Sequence, residues 1–536
     1  MDALDEILRQ HDALKAERTT WESQWQTLAD YVRPTRGDFT ARQPDGGRRV
    51  DQIFDPTAIW ANEQLAAGLS GLLTNPAMRW FGLKARDERL NRVDAVKRWL
   101  EAVTERLYAA FNRPRANFHP QAHELYLDLG AFGTSAMLID DDPALGPTFA
   151  TRHLGECFIA ENAAGIVDTL HREFQLTARA AVQLWGEAVP EPIGRAAETD
   201  PGRRFTFVHA VRPRAAWDPT SKLKTDKPWA SVYFNLDFKQ PISVGGYDEF
   251  PYVVPRWAKV TGETYGRSPG MTALPTILLL NSMMKTVIMG AQKRVDPPLM
   301  APDDGFVLPI RATPGKVIFY RAGTPQYDRI QPLDIGGDPG LGLEMIQVQR
   351  SQIEQIFHTG LLMMAQGPQK TATEVLQIRE EKYRLLGPIV ARQEAEYLDP
   401  LIERVFRILL RRGELPAPPD ELQGAELEVE YTSPILQAQK GARIEGVVRV
   451  LEAVEWAGAI DPGVANIVDA EALVREIGDT YQAPLAILRS PEDVAALRRS
   501  QAEAQARERA LTEAGAEAAL VKDLAQADAT LRKART

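Results

Sequence analysis

Residues 265–298 read YGRSPGMTALPTILLLNSMMKTVIMGAQKRVDPP. Ser268 offers a helix N-cap, Pro269 a first-position proline, and Asp296-Pro297-Pro298 a stop. Pro275 predicts a kink or a restart. Ile277, Leu280, Met284, Val287 and Ala291 fall on one face of the intervening helix. Asn281, Lys285, Ile288 and Gln292 fall on the other, at spacings of four, three and four. A long helix with two unlike faces needs neighbours on several sides. Periodicity alone fits a polar face in bulk solvent as well as one lining a water-filled channel. The most apolar run, Thr276 to Ala291, contains Asn281 and Lys285 and reads as too short to span a bilayer.

Downstream, residues 299–334 alternate short apolar runs with Pro and Gly and predict a small β insert. A second amphipathic helix follows from Leu341 to about His358. Its polar face is Gln347, Ser351, Glu354 and His358, and its apolar face is Ile346, Ile353 and Phe357. His358 to Lys370 reads as a Gly- and Met-rich loop with Gly360, Met363, Met364, Gly367 and Pro368. Thr371-Ala372-Thr373-Glu374 fits a capping box and opens a helical stretch to Arg412, with kinks expected at Pro388 and Pro400. Residues 440–536 read as almost entirely helical. The last part is Ala-rich with a thin apolar stripe that needs partners to be stable.

Upstream, residues 3–31 predict a helix on which Leu4, Ile7, Leu8, His11, Leu14 and Arg18 share a face, continued by Trp21, Trp25 and Leu28. Asp55-Pro56 predicts a second helix start, with Asp55 as cap. Further helices are expected over about 92–111 and 120–129. From Thr134 to Tyr265 the apolar runs shorten, and Ser135–Ile139, Thr206–Val211, Ala230–Phe234 and Tyr252–Trp257 read as strands, with a short helix at Thr177–Trp185. The expected fold is therefore mainly α with α+β parts.

The chain of 536 residues is long enough for several cores, and its apolar and charged fractions are those of a globular protein. Lys and Arg number 63 against 73 Asp and Glu, a net charge of −10. That disfavours a protein gripping nucleic acid through phosphate neutralisation, while allowing a channel through which DNA slides. The single cysteine, Cys157, cannot form an intramolecular disulfide and is expected in the core. The acidic start lacks the apolar segment of a secretory signal, so assembly in a cytosol is expected.

Catalytic patterns are missing. No G-x-x-x-x-G-K-[ST] loop occurs, and the glycine clusters at 245–246, 335–336 and 340–342 lack its ending. There is no G-x-S-x-G elbow. His119 and His123 are four apart but do not make H-E-x-x-H, and a structural pair is the better reading. The acidic runs Asp140-Asp141-Asp142, Asp303-Asp304 and Glu380-Glu381 read as solvated surface. No cofactor, no metal and no enzymatic activity are expected. A metal-dependent nuclease built on the acidic runs is the enzyme alternative, and a capsid scaffold or minor structural protein without a pore is the other.

Several short segments, in order, resemble the head-to-tail connector (portal) family of short-tailed phages. They are Asp55-Pro56-Thr57-Ala58, Leu65-Ala66-Ala67-Gly68-Leu69, Leu73-Thr74-Asn75-Pro76 with Trp80-Phe81, Tyr265-Gly266-Arg267-Ser268-Pro269-Gly270 with Ala273-Leu274-Pro275, and Asp296-Pro297-Pro298-Leu299. Thr371-Ala372-Thr373-Glu374-Val375, Leu386-Gly387-Pro388 and Glu396-Tyr397-Leu398-Asp399-Pro400 complete the series. The resemblance runs from about residue 10 to 440.

That resemblance implies a portal fold: an α+β wing over 1–265, a first stem helix over 266–295, a clip over 296–338 and a second stem helix over 339–358. A tunnel loop over 359–370, a long wing helix and strand over 371–439 and a helical crown over 440–536 would follow. It implies a ring, usually of twelve subunits, at one capsid vertex of the virion. Double-stranded DNA would pass through it without sequence preference during packaging and ejection. Terminase, tail adaptor, capsid and scaffolding proteins would be partners, and no membrane. Channel candidates are Asn281, Lys285, Gln292, Lys293, Gln347, Glu354 and His358. The tunnel loop would offer Gly360, Met363, Met364, Gly367 and Lys370, and the clip interface Arg311, Lys316 and Arg321.

Overall fold

The structure is a computed structural model that describes residues 3–41, 46–47, 50–300, 325, 331–332, 339–360, 386–422 and 427–431, with shorter pieces between 446 and 527. Nine helices of at least two turns are named among the described residues: α1 (Ala3–Tyr31), α2 (Thr57–Leu73), α3 (Asp94–Phe111), α4 (Phe118–Phe132), α5 (Ala178–Trp185), α6 (Glu191–Thr199), α7 (Pro269–Val295), α8 (Pro339–Ile356) and α9 (Asp399–Arg411). The strands are β1 (Phe81–Ala85), β2 (Ala136–Asp142), β3 (Gly146–Arg152), β4 (Cys157–Glu161), β5 (Val167–Thr177), β6 (Arg204–Pro213), β7 (Trp229–Asn235), β8 (Gln240–Tyr247), β9 (Tyr252–Val253), β10 (Leu299–Met300), β11 (Gln331–Pro332) and β12 (Leu427–Tyr431).

The chain divides into two compact units. The first comprises Met1–Gly82, Val103–Pro416 and Val429–Ser433. Its largest sheet is antiparallel, in the order β4-β5-β6-β7-β8. α1 covers one face, where Ile7 joins Val208, Ala210, Val232 and Phe234. α5 and α6 cover the other, where Ala181 and Ile193 meet Phe174, Phe205 and Phe207. Two covered faces explain why β6 and β7 carry nearly continuous apolar runs. The opening helix buries the face read from its spacing, including His11 and Arg18. Arg18 is satisfied by the carbonyls of Leu154, Gly155 and Cys157 and by Glu22. Cys157 is buried in the core beside it.

A smaller sheet, β3-β2-β9, packs with α4 and α9. Arg404 of α9 is buried and donates to Ile139 O at 2.8 Å and Glu249 O at 3.1 Å. Trp25 is fully buried and its indole N–H donates to Phe132 O at 3.2 Å. Such polar anchors fix how the helices sit on the sheets, because unpaired they would each cost about 1–3 kcal/mol.

The second unit comprises Leu83–Ala102, Ala417–Glu428 and Pro434–Thr536. Asn91 closes its first turn, accepting from Ala85 N and donating to Ala85 O, both at 2.8 Å. Lys84 and Arg86 both lie 3.6 Å from Glu428. Its described later pieces, including residues 493–507, are helical apart from residues 468–469.

Some expectations shift. α2 begins at Thr57, after Pro56, and Asp55 still accepts from the backbone N–H of Thr57 at 2.9 Å. α4 is longer than expected at both ends. α6 and strands β3, β5 and β8 add to the α+β half, since strands rich in His, Arg, Gly and Ser carry weak apolar alternation. Pro275 neither breaks nor restarts α7, which is one helix of 27 residues. α7 is thus long and apolar enough to cross a bilayer by length and composition, unlike the shorter apolar run read from sequence. Of the β insert, β10 pairs antiparallel with β11.

Candidate channel-wall helices

Backbone contact sets the base of α7. Gly133 has φ +79° at the end of α4. A Cβ on Gly266 would lie 2.2 Å from Gly133 O, so only glycine fits there. Gly266 N donates to Thr134 Oγ1 at 2.8 Å. Ser268 Oγ accepts from Met271 N at 2.8 Å and donates to Ala131 O at 2.8 Å, which caps α7 and ties it to α4. The Tyr265-Gly266-Arg267-Ser268-Pro269 segment is therefore a launch point whose residue types are dictated by close packing.

A second tie holds the same lead-in. Arg256 is buried and donates to both carboxylate oxygens of Glu396, at 3.0 and 2.9 Å, and to Glu161. Gln393 Nε2 donates to Arg256 O at 2.9 Å. Glu396 lies in a π-helical turn, Glu394–Leu398, immediately before α9. The wide turn precedes Pro400, which has no N–H to offer the helix. The turn ends two residues before Pro400, where the sequence predicts a kink, and Glu396 is its contact with the α7 lead-in.

α7 and α8 pack together. Ile277 and Leu280 on α7 are buried, as are Ile346, Ile353 and Phe357 on α8 and in the turn just beyond it. A Cβ on Gly342 would lie 3.1 Å from Val287 Cγ2, which brings the start of α8 against α7. The turn before α2 is held by both helices. Asn281 Oδ1 accepts from the N–H groups of Phe54 and Asp55, at 2.9 and 3.1 Å. Arg350 donates to Asp55 Oδ2 at 2.9 Å, and Asp55 is buried.

The candidate residues separate accordingly. Lys285, Gln292, Lys293 and Gln347 are exposed. The Lys285 ammonium lies 5.6 Å from the centre of the Phe54 ring, a cation–π contact. Glu354 and His358 are half-buried. Asn281 does not belong with the exposed residues: it is buried and fully engaged by the 54–55 turn, so it is a packing residue within the chain. His358 has φ +56° and its ring stacks on Trp257 at 6.5 Å, while burial holds its imidazole below the ordinary value. Gly360 is exposed. Met363, Met364, Gly367, Lys370, Arg311, Lys316, Arg321, the capping box at 371–374 and the acidic pairs at 303–304 and 380–381 lie outside the described residues.

Sequence reading missed the Asp55–Arg350 pair. Asp55 was legible as a cap, but its second oxygen was free to bind a cation almost three hundred residues away, which spacing does not reveal. Large apolar side chains also stay exposed on both helices: Leu278, Leu279 and Met289 on α7, and Leu343, Met345 and Val348 on α8. Among the described residues no three His, Cys, Asp or Glu side chains converge as a metal site. His119 instead pairs with Asn112 Oδ1 at 2.8 Å, and Asp141 with Arg412 at 3.0 Å.

A pair of long helices with partly apolar outer faces is thus mounted on an α+β body. The chain belongs to the bacteriophage head to tail connecting protein family, whose model matches residues 4–488. It is 32% identical over 526 residues to the "Probable portal protein" of Bordetella phage BPP-1, covering 96% of this chain and 94% of that protein. It is 31% identical over 510 residues to the "Portal protein" of Salmonella phage epsilon15, covering 93% and 91%. Among solved structures it is similar to a chain of the virion of a native gene transfer agent particle. The TM-score is 0.37 at 11% identity, covering 77% of this chain and 92% of that one. A chain of the neck of the empty particle gives 0.37 at 13% identity, covering 76% and 91%. The fold is an α+β portal fold, and the chain is a portal-class structural protein of the virion.

Proposed function

We propose that copies of this chain close into a ring of twelve at one capsid vertex, and that double-stranded DNA enters and leaves the head through it. The exposed faces of α7 and α8 carry the reading. They combine large apolar residues, which water disfavours, with Lys285, Gln292, Lys293 and Gln347. Neighbouring copies would cover the apolar part and leave the polar part facing a wet channel.

On this reading residues 1–265 and 371–439 form the wing, 266–295 and 339–358 the stem, and 296–338 the clip that meets terminase and tail adaptors. Residues 359–370 form the tunnel loop and 440–536 the crown, with capsid and scaffolding proteins outside. Assembly takes place in the host cytoplasm. The net charge of −10 supports a passage rather than a grip, since a dense Lys and Arg lining would hold phosphates and slow transit. No catalytic step is assigned to the chain. The exposed apolar length of α7 is accounted for by subunit contacts, without a membrane.

Negative-stain microscopy of the purified chain tests the proposal. Rings with a central hole are expected. Monomers at high concentration would favour a pore-free scaffold or minor structural role, and Mg²⁺-dependent DNA cleavage would favour a nuclease.

A further inference from the structure

The connection from Pro213 to Trp229, between β6 and β7, is long and holds one short 3-10 turn, Lys224–Asp226. It holds Trp217 at 51% and Leu223 at 64% exposure. It is braced from within: Asp218 N donates to Asp226 O at 3.1 Å, and Thr220 N donates to Asp218 Oδ1 at 2.8 Å. Ser221 Oγ donates to Asp226 Oδ2 at 2.6 Å. It is also fastened to the sheet, where Arg214 donates to Lys227 O at 3.1 Å and to Gly245 O at 3.2 Å. A Cβ on Gly246 would lie 2.5 Å from Lys224 O and 2.6 Å from Trp229 O. Gly246 therefore lets the connection lie close on strand β8, a packing role within a glycine cluster that carried no phosphate-loop chemistry.

The charge of this connection opposes that of the chain. Arg214, Lys222, Lys224 and Lys227 stand against Asp218 and Asp226, with Arg212 before them at the end of β6, in a chain with a net charge of −10. Arg212 is paired with Glu6 at 2.8 Å and Lys227 with Asp248 at 2.8 Å. Lys222 and Lys224, on either side of Leu223, are exposed and make no ion pair with a described residue. A Trp and a Leu held in water on a braced backbone have little ordering entropy left to lose on binding. Trp is also the side chain that most often anchors an interface.

We propose that this connection is a docking prong for an acidic segment of another protein, one that carries large apolar side chains such as an amphipathic helix does. Its carboxylates meet Lys222 and Lys224, and its apolar face covers Trp217 and Leu223. Duplex DNA is the poorer occupant, since phosphates would engage the lysines and leave the indole and the isobutyl group in water. The inference is independent of the ring-and-channel reading.

Photocrosslinking in assembled particles tests it, with Trp217→p-benzoylphenylalanine as the probe and mass spectrometry of the adduct. The expected adduct joins residue 217 to a net-negative, apolar peptide of a different polypeptide. Adding Lys222→Glu and Lys224→Glu should lower its yield about fivefold or more. An adduct to a second copy of this chain or to DNA, a yield indifferent to the charge reversal, or no adduct at all would overturn the proposal. Negative-stain images of the same preparations report the ring separately, so crosslinking without rings would count against the ring alone.

Discussion

Arg350 of α8 holds the buried carboxylate of Asp55 at 2.9 Å, across 295 residues of sequence. On its other side the same turn hangs from Asn281 of α7. The start of α2 is thus the point where two distant helices are keyed together. The key is polar inside a largely apolar contact.

Removing the cation leaves Asp55 buried without its partner. Arg350→Ala is expected to cost about 2 kcal/mol, less than a fully buried pair because Arg350 is about a third exposed. Asp55→Asn should cost less, since a neutral amide tolerates loss of the pair. Urea unfolding of the two variants in parallel checks the order. A midpoint for Arg350→Ala equal to that of the unsubstituted chain would mean the pair contributes nothing.

Asn281→Ala strands the N–H groups of Phe54 and Asp55, at about 1–3 kcal/mol for each buried donor left unpaired. Gln292→Ala, exposed on the same helix, should change stability by less than about 0.5 kcal/mol. The contrast can be read from thermal melting, and comparable losses at both positions would refute the assignment of Asn281 to packing.

Two glycines near α7 should behave oppositely. Gly266→Ala must push Gly133 O away from its present place, and is expected to abolish soluble folded protein or lower its melting temperature by several degrees. Gly290 has nothing within 4 Å of a built Cβ, so Gly290→Ala should stabilise the isolated chain by roughly 0.5–1 kcal/mol through helix propensity. If the stabilised variant no longer forms rings, that face of α7 is covered by a neighbouring copy.

Acid should unfold the first unit in stages. Burial pushes His153, His171 and His209 down to about 3 from an ordinary 6.5, so the folded state keeps them neutral while the unfolded chain takes up protons. Stability is therefore full above about 6.5 and falls as pH drops toward 3. Hydrogen bonds from His11 and Lys15 hold Glu173 at about 2, which adds a loss between about 4.5 and 2. Among the described residues neither ring nitrogen of His171 has a hydrogen-bond partner, so His171→Leu should flatten the dependence by about one proton between pH 6.5 and 4. Melting temperature against pH measures it; an unchanged slope would place the His171 proton elsewhere.

Lys285→Ala and Lys370→Ala address the channel. Particles carrying either change are expected to package or retain less DNA, visible as a smaller filled-head fraction. Wild-type packaging and retention would remove those side chains from any channel role.

What the sequence determined by itself was where α1, α7 and α8 lie and which of their apolar residues face a core. The α7 start was legible because Ser268-Pro269 is a local capping signal, and Ile346, Ile353 and Phe357 because helical period places them together. The family was legible in the order of short segments, and at one of them, Tyr265 to Pro269, close packing accounts for Gly266 and capping for Ser268. Tertiary structure alone decided that Asn281 turns inward while Lys285 stays in water, although both share one helical face. The physical reason is that the turn at Phe54 and Asp55 brings two N–H donors to Asn281 that must be satisfied, and only the Phe54 ring to Lys285, whose ammonium keeps its water. The same reason hid Asp55–Arg350 and Arg256–Glu396: a charge pair leaves no periodic trace, because its partners are brought together by the fold and not by their spacing.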